Sequence, residues 1–442
     1  MSAPGTLPGG APTGAGRLTG TLPSEGLHGG GLPNEAFPSG AMTSGIIFDG
    51  NVPQGIPQGE ILPGGLLADG SVPGGDVPGA EREGGAPAAA SGAILWRLVR
   101  ALFGSRGNSV LSLAMLALFW FTLPPFFRWA VARATWEGLS RRACAPDGAC
   151  WAFVHARFAL FIYGRYPAAE HWRVDLVLML LGVLCAGTLF ARRRRGWWLT
   201  ALLVVMPVAG GTVLVGGIFG LPFVYTGDWG GLMLNIVLTF VAVAGALPLG
   251  VLLAFGRQSQ LPIVRWGAIA FIELWRGSPL LAVLFMGLIM LPLFLPGGVT
   301  VDNLIRAMLV LTLFESAYMA ETVRGGLQGV PSGQIDAALA LGMSNAQMQV
   351  LVVLPQAMRI AIPGIINIVV DLFKDTTLVS IVGLFDLMGV INQSLKDPNW
   401  LGLAMEGYTF AATLFFGACM LISLAGQVLE RRFGSAAVAP RR

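Results

Sequence analysis

The sequence predicts an all-α, multi-pass membrane protein with about eight transmembrane helices. Of its 442 residues, 54% are hydrophobic and only 12% are charged, and the mean hydropathy is +0.69. A soluble domain usually carries about twice that share of charge. Apolar runs of about 20 residues, enough to cross a bilayer as a helix, recur along most of the chain. We place the spans near 108–131, 174–191, 197–218, 230–256, 278–297, 302–324, 360–390 and 408–429.

The first 93 residues are predicted to form a disordered tail. They are rich in Gly and Pro, with short echoes such as GGLP and VPGG, and offer too few apolar residues to offset the entropy of an ordered chain. Residues 1–95 hold two arginines against eight acidic residues, so the basic excess behind the net charge of +4 belongs to the membrane part. That excess indicates loops on the cytoplasmic face and does not favour a nucleic-acid partner.

Arginine-rich segments orient the predicted spans. Arg192 to Arg195 follow the second span, and Arg431 and Arg432 follow the eighth. With eight crossings both segments fall on one face, which the positive-inside rule makes cytoplasmic. Both termini are then cytoplasmic as well.

The loop at 132–173 is assigned to the opposite, periplasmic face, although it carries six arginines. Cys144 and Cys150 bracket the short, turn-rich stretch ACAPDGAC within it. A pair of this kind could close a disulfide in an oxidising compartment. The alternative is two reduced thiols.

Glu315 is the first candidate functional residue, because it lies near the middle of the sixth span. An ionised side chain at that depth costs several kcal/mol unless it is paired or faces water. Glu315 is therefore a functional candidate, or else a protonated or ion-paired packing residue. Ser316 and Tyr318 accompany it, and ordinary hydrogen bonds between helices explain them equally well.

The seventh span is predicted to be broken by a polar cluster within VVDLFKDTTLVS. Asp371, Lys374, Asp375 and Thr376 lie in this stretch, and the first three share one helix face by their spacing. The charges either neutralise one another or line a solute path, where irregular backbone is tolerated beside a cavity. Before the fifth span, Glu273, Arg276 and the following Gly-Ser-Pro predict an in-plane elbow helix with an internal ion pair and a turn into the membrane.

The stretch from Ser332 to Pro355 lies between spans on the predicted cytoplasmic face, but has the pattern of two short helices. Ser332 is suited to cap the first helix, Gly342 can end it in the left-handed conformation, and Pro355 is expected to end the second. A thin, alanine-rich rod outside the membrane is well shaped to dock into a cleft of another protein.

Several enzyme classes lack support in this sequence. Lys374 and Lys396 are its only lysines and each precedes Asp, so the chain has no Gly-Lys-Ser/Thr phosphate loop. If ATP drives this protein, another chain hydrolyses it. Three histidines with no HExxH and no CxxC give little support to a metal or redox enzyme. We expect a transport subunit without a cofactor or metal of its own.

The loop carries a resemblance to a known family. The residues that carry the resemblance are Asp336, Ala337, Ala338, Gly342, Leu354 and Pro355. With these residues the loop resembles the EAA signature of ABC-importer permeases, EAA-x3-G-x9-I-x-LP, with matching spacing. Asp336 replaces Glu, and Val352 replaces Ile. The flanking ELWRGSPLL, SAYMAETVRGGLQGVPSGQ and LFKDTTLVSIVGLFDLMGV are similar to the polar amino-acid branch of type I importers. CAPDGACWAF and YGRYPAAEHWR resemble the longer permease of general L-amino-acid importers of the glutamate/glutamine/aspartate/asparagine type.

The resemblance implies a domain order and a set of partners. It implies extra transmembrane helices at 94–228, a permease core at 229–433 with a coupling loop at 331–358, and a short tail at 434–442, in a bacterial inner membrane. Besides membrane lipid, it implies a second homologous permease, an ATP-binding subunit dimer that holds ATP and Mg²⁺, and a periplasmic amino-acid-binding protein. It also implies a substrate site where Glu315 meets an ammonium group and Lys374 a carboxylate.

A proton-coupled secondary amino-acid transporter is the alternative function. In that case Glu315 and Asp371 would bind the coupling protons. The sequence has no evident duplicated or inverted halves of the kind many such carriers show. The missing phosphate loop fits both hypotheses.

Overall fold

The computed structural model describes residues 96, 99–100, 102–191, 195–218, 220–296 and 300–434. The predicted tail at 1–93, most of the arginine turn and all but the first residue of the predicted tail at 434–442 lie outside this part of the chain. Within it, regular structure is helical. The α-helices are α1 (Arg106–Phe127), α2 (Trp151–Tyr163), α3 (His171–Phe190), α4 (Arg195–Thr200), α5 (Met206–Val215), α6 (Gly231–Arg257), α7 (Pro262–Gly277), α8 (Leu280–Phe285), α9 (Leu291–Phe294), α10 (Asn303–Gln328), α11 (Ser332–Ala340), α12 (Asn345–Gln347), α13 (Leu354–Asp375), α14 (Leu387–Ser394) and α15 (Ala404–Gly434).

The prediction of about eight spans is confirmed. Seven helical runs in the described residues are long and apolar enough to cross a membrane, and a bent pair, Pro262–Gly277 with Leu280–Phe294, brings the number to eight. The seven runs are Arg106–Ala132, Ala168–Phe190, Gly196–Val215, Gly231–Arg257, Asn303–Gln328, Asn345–Ser380 and Ala404–Arg432.

The predicted elbow is present, but its predicted ion pair is wrong. The chain bends by 103° between α7 and the helical run Leu280–Phe294, which begins with α8. This bend turns the chain into the bundle. Glu273 contacts the Arg257 guanidinium at 3.2 Å, and Arg276 lies 3.8 Å from Glu321. The two side chains, three residues apart, find partners on neighbouring helices because α6 and α10 end beside α7.

The predicted break at Pro355 is also wrong. The chain is helical from Asn345 to Ser380 without interruption, and a π-helical turn, Met348–Val353, precedes Pro355. Proline lacks the N–H that an α-helix would use at that position. The wider hydrogen-bonding register of a π turn accommodates it, so Pro355 lies in the first turn of α13. The run ends instead near Gly383, whose φ is +97°.

Helices α6, α10 and α13 form the centre of the bundle, and small residues let them approach closely. A Cβ on Gly250 of α6 would lie 2.6 Å from the Cβ of Met319 on α10. A Cβ on Gly326 of α10 would lie 2.4 Å from the carbonyl oxygen of Ala357 on α13. Both distances are shorter than carbon contacts allow, so glycine is required for this packing.

The segment at 132–173 folds against the core at the end of the bundle opposite α11. Phe153 and Phe161 of α2 are fully buried, and the Phe153 ring lies 5.8 Å from the ring of Trp400, between centroids. A disulfide joins Cys144 and Cys150, whose Cα atoms are 5.5 Å apart. Helix α2 therefore extends the core on this side.

Candidate translocation cavity and coupling loop

An acidic cavity of about 420 Å³ lies between α8, α10 and α13. It brings together five residues that the sequence analysis selected from two separate segments. The lining residues are Leu280, Phe314, Glu315, Tyr318, Ile368, Asp371, Lys374 and Asp375. The polar face of α13 and the middle of α10 therefore meet across one space.

Charge is unbalanced in this cavity. Glu315 lies at the midpoint of α10 and is 4% exposed. Lys374 Nζ contacts Asp371 Oδ1 at 2.8 Å, so part of the predicted internal neutralisation is present. Three carboxyl groups face a single ammonium group, which leaves Glu315 and Asp375 as an acidic excess suited to a cationic group.

Ser316 and Thr376, both substrate-path candidates, do not line this cavity. Ser316 is fully buried, and its hydroxyl donates to the Leu313 carbonyl at 2.7 Å. The Thr376 hydroxyl donates to the Phe373 carbonyl at 2.7 Å and accepts from Asn235 Nδ2 at 2.9 Å. Both side chains are engaged within the helix packing.

A buried polar network that the sequence analysis missed holds the end of α13. Asn235 of α6 donates to Asp386 Oδ2 at 3.2 Å, and its side-chain oxygen accepts from Leu387 N at 3.0 Å. Asp386 also caps α14 by accepting from Gly389 N at 2.9 Å. Burial raises the pKa of Asp386, against a smaller lowering by these hydrogen bonds. An asparagine inside the apolar run GLMLNIVLTF was the available signal.

An ion cluster that was not predicted from the sequence lies at the α11 end of the bundle. Glu321 Oε1 lies 2.6 Å from Arg257, and its Oε2 lies 2.7 Å from Arg324. The Arg276 guanidinium, near the same carboxylate, also lies 5.6 Å from the ring centroid of Tyr318. Since Tyr318 lines the acidic cavity, the cluster and the cavity share a wall.

The loop between α10 and α13 contains the predicted glycine joint. Gly342 has φ +78°; its N–H donates to the Leu339 carbonyl at 2.9 Å, and Met343 N donates to the Ala338 carbonyl at 3.2 Å. These two bonds form a Schellman motif. Ser344 and Gln347 then exchange the hydrogen bonds of a capping box. The predicted cap at Ser332 is wrong, because Pro331 already holds the extended conformation that precedes the helix.

Helix α11 is anchored on one face and open on the other. Ala338 is 4% exposed and packs in a cluster with Met348 and Val353. Asp336 and Ala337 are exposed, and Leu341 is 83% exposed. The loop therefore presents an apolar surface, which the sequence analysis did not identify.

Together, the membrane spans, the acidic cavity at mid-height and the protruding loop helix define a multi-pass membrane transport protein. Residues 246–435 match the family model of the binding-protein-dependent transport system inner membrane component. The chain is 45% identical over 348 residues to the inner membrane amino-acid ABC transporter permease protein YhdY of Escherichia coli, which covers 78% of this chain and 94% of the relative. The chain belongs to the amino-acid ABC transporter permeases.

A second permease and a solved structure also resemble this chain. The glutamate/glutamine/aspartate/asparagine transport system permease protein BztC of Rhodobacter capsulatus is 33% identical over 414 residues, which cover 78% of this chain and 95% of the relative. A crystal structure of an amino acid ABC transporter with histidines aligns at 30% identity over 46% of this chain and 92% of its own, with a TM-score of 0.42.

Proposed function

We propose that this chain forms one half of the translocation pore of an ATP-driven, binding-protein-dependent amino-acid importer. A second homologous permease would supply the other half. The observation that carries this proposal is α11, a short helix between the spans that ends in the Schellman motif at Gly342. Leu341, directly after the helix, is 83% exposed. Leu339, at 45% exposure, adds to the exposed apolar side chains of this loop, which are suited to a partner surface.

That partner would be an ATP-binding subunit dimer, which would also hold ATP and Mg²⁺. The two lysines of this chain each precede Asp, so the chain offers no phosphate loop of its own. Asp336 and Ala337, which are exposed, would enter a cleft of the ATPase. Ala338, which packs inward, and Gly342 would hold the shape of this part of the coupling loop. Leu354 and Pro355 would fix the loop to α13.

This role sets an orientation in the bacterial inner membrane. The α11 end would face the cytoplasm, with both termini on that side, and the end that carries Cys144 and Cys150 would face the periplasm. The arginine-rich segments support the first assignment, and the disulfide supports the second. A periplasmic amino-acid-binding protein would dock at the α2 end.

The acidic cavity would be this chain's contribution to the substrate path. Glu315 and Asp375 would receive the ammonium group of an amino acid. Lys374 is paired with Asp371 at 2.8 Å, so it could bind a substrate carboxylate only by exchanging that partner. BztC is named for the transport of glutamate, glutamine, aspartate and asparagine, and polar amino acids are the substrate class we propose.

Gly342 provides the test of the coupling role. The full chain is expressed with its second permease and ATPase, and ATPase recovery is measured by co-purification. Gly342→Val forces a β-branched residue to φ +78°, which is strained, whereas asparagine tolerates that conformation. We expect Gly342→Val to lose the ATPase while still inserting in the membrane, and Gly342→Asn to retain it. Equal ATPase recovery for the two variants would contradict the proposal.

Glu315→Gln tests the substrate path in the assembled transporter. We expect amino-acid uptake in proteoliposomes to fall by at least about tenfold, the loss that corresponds to one missing charge contact of about 1.4 kcal/mol, without loss of subunits. Ser316→Ala is the control, because Ser316 faces the packing and not the cavity. Normal uptake by Glu315→Gln would remove Glu315 from the path. Uptake by this chain alone, driven by a proton gradient without ATP, would favour a secondary transporter instead.

A further inference from the structure

A second cavity, of about 460 Å³, separates the N-terminal helices from the core near the α11 end of the bundle. We call it the lateral cleft. Its walls come from five different parts of the chain and are mainly aliphatic. They include Leu199, Leu202, Leu247, Ile362, Ile366 and Leu429. The cleft is distinct from the acidic cavity, with which it shares no lining residue.

The lateral cleft has the dimensions of a site for a lipid chain. Along α13 it extends from Pro355 to Ile366, which at about 1.5 Å per residue corresponds to roughly 16 Å. On α6 it reaches Leu247, ten residues before the helix ends at Arg257. An apolar cleft of this length, beginning at the end of α13 next to the loop, matches the upper part of an acyl chain.

One cation stands at the wall of the cleft without a partner in the described part of the chain. Arg359 lines the cleft and is exposed. Within the described residues, no hydrogen bond or ion pair joins Arg359 to another side chain. Arg432 differs, because it donates to the Leu189 carbonyl at 2.9 Å and lies 4.9 Å from the centroid of the Phe190 ring. Arg359 is therefore the side chain available to a ligand.

The charge around this opening is positive. Glu430, Arg431 and Arg432 directly follow Leu429, which lines the cleft. Among these residues, Glu430 is acidic and is outnumbered by Arg359, Arg431 and Arg432. A basic opening above an apolar channel has the complementarity of an anionic phospholipid, since guanidinium groups bind phosphate with two parallel hydrogen bonds.

We infer that the lateral cleft binds an anionic phospholipid, with an acyl chain between the N-terminal helices and the core and the headgroup phosphate on Arg359. The lipid fills the gap between the two groups of helices. The inference concerns a different site from the proposed substrate path and coupling loop. It survives if either of those roles is overturned.

Lipid retention by the purified transporter tests this inference. The complex is exchanged into an equal mixture of phosphatidylglycerol and phosphatidylethanolamine, and retained lipids are counted by native mass spectrometry. We expect wild type to retain phosphatidylglycerol at least about fivefold over phosphatidylethanolamine, the selectivity of roughly one basic contact in an anionic leaflet. Arg359→Gln should abolish this preference, and Arg359→Lys should keep part of it.

Arg265→Gln is the matched control. Arg265 is an exposed arginine of α7 at the same end of the bundle, outside the cleft. Its replacement should leave the preference unchanged. Equal loss in Arg265→Gln would show general surface attraction and overturn the inference, as would unchanged selectivity in Arg359→Gln. Retention of no lipid by the assembled complex would overturn it as well, and would indicate that the second permease covers the cleft.

Discussion

Replacement of Glu321 by glutamine is expected to weaken the bundle at the α11 end more than any other single charge change there. The carboxylate is 15% exposed and receives two close guanidinium contacts, at 2.6 Å from Arg257 and 2.7 Å from Arg324. Glutamine keeps the shape but offers one acceptor oxygen and no charge. Its amide N–H groups would point at side chains that are themselves only donors.

The size of the effect follows from these contacts. A hydrogen bond to a charged group contributes about 1.5–3 kcal/mol when it is buried. The arginines are 26–37% exposed, so solvent screens part of that interaction. We expect Glu321→Gln to lower the free energy of unfolding by about 2–3 kcal/mol. Glu273→Gln, which removes one 3.2 Å contact of a side chain that is 56% exposed, should cost no more than about 0.5 kcal/mol.

Thermal unfolding of the purified full chain in detergent separates the two variants. At about 2–4 °C per kcal/mol for a large domain, Glu321→Gln should unfold roughly 4–12 °C below wild type, and Glu273→Gln within about 2 °C of it. High salt should narrow the gap, because the cluster is partly exposed. Equal unfolding temperatures for the two variants would refute this account of the cluster.

Two further substitutions test the packing around the cavity. Gly326→Ala places a methyl group 2.4 Å from the Ala357 carbonyl oxygen, whereas the methyl group of Gly325→Ala meets nothing within 4 Å. Thermal unfolding should show a loss of stability of about 1–3 kcal/mol for Gly326→Ala and no loss for Gly325→Ala. Equal stabilities of the two variants would contradict the close contact between α10 and α13. Asn235→Ala leaves the buried Leu387 N–H without its partner and should lower stability by about 1–3 kcal/mol in the same assay. Asn392→Ala, which removes one exposed hydrogen bond from Tyr408, should change stability little. Similar losses in the two variants would argue against the buried network.

Features that depend on neighbours in sequence were predictable from the sequence. The spans follow from runs of apolar residues, and the joint at Gly342 follows from glycine's access to positive φ, which the structure gives as +78°. The shared face of Asp371, Lys374 and Asp375 follows from helical periodicity. None of these inferences needs knowledge of which helices touch.

Features that depend on which helices touch were not predictable in this way. Local spacing pairs Glu273 with Arg276, but the ends of α6 and α10 bring Arg257 and Glu321 closer. Asn235 and Asp386 are 151 residues apart, and no local rule joins them. The helix was wrongly predicted to end at Pro355 because the usual cost of proline inside a helix disappears after a π turn. The sequence pattern does not indicate a π turn.

The same tertiary contacts join the loop that carries α11 to the acidic cavity. Helix α11 lies between α10 and the run that contains α13, and those two helices carry all the acidic residues of the cavity. Gly326 and Ala357 hold them in contact near the loop, and Arg276 links the ion cluster to Tyr318 at the cavity wall. Under the proposed coupling role, a force on α11 would reach Glu315 and Asp375 through two packed helices, because close-packed interfaces shift as rigid bodies and do not deform continuously.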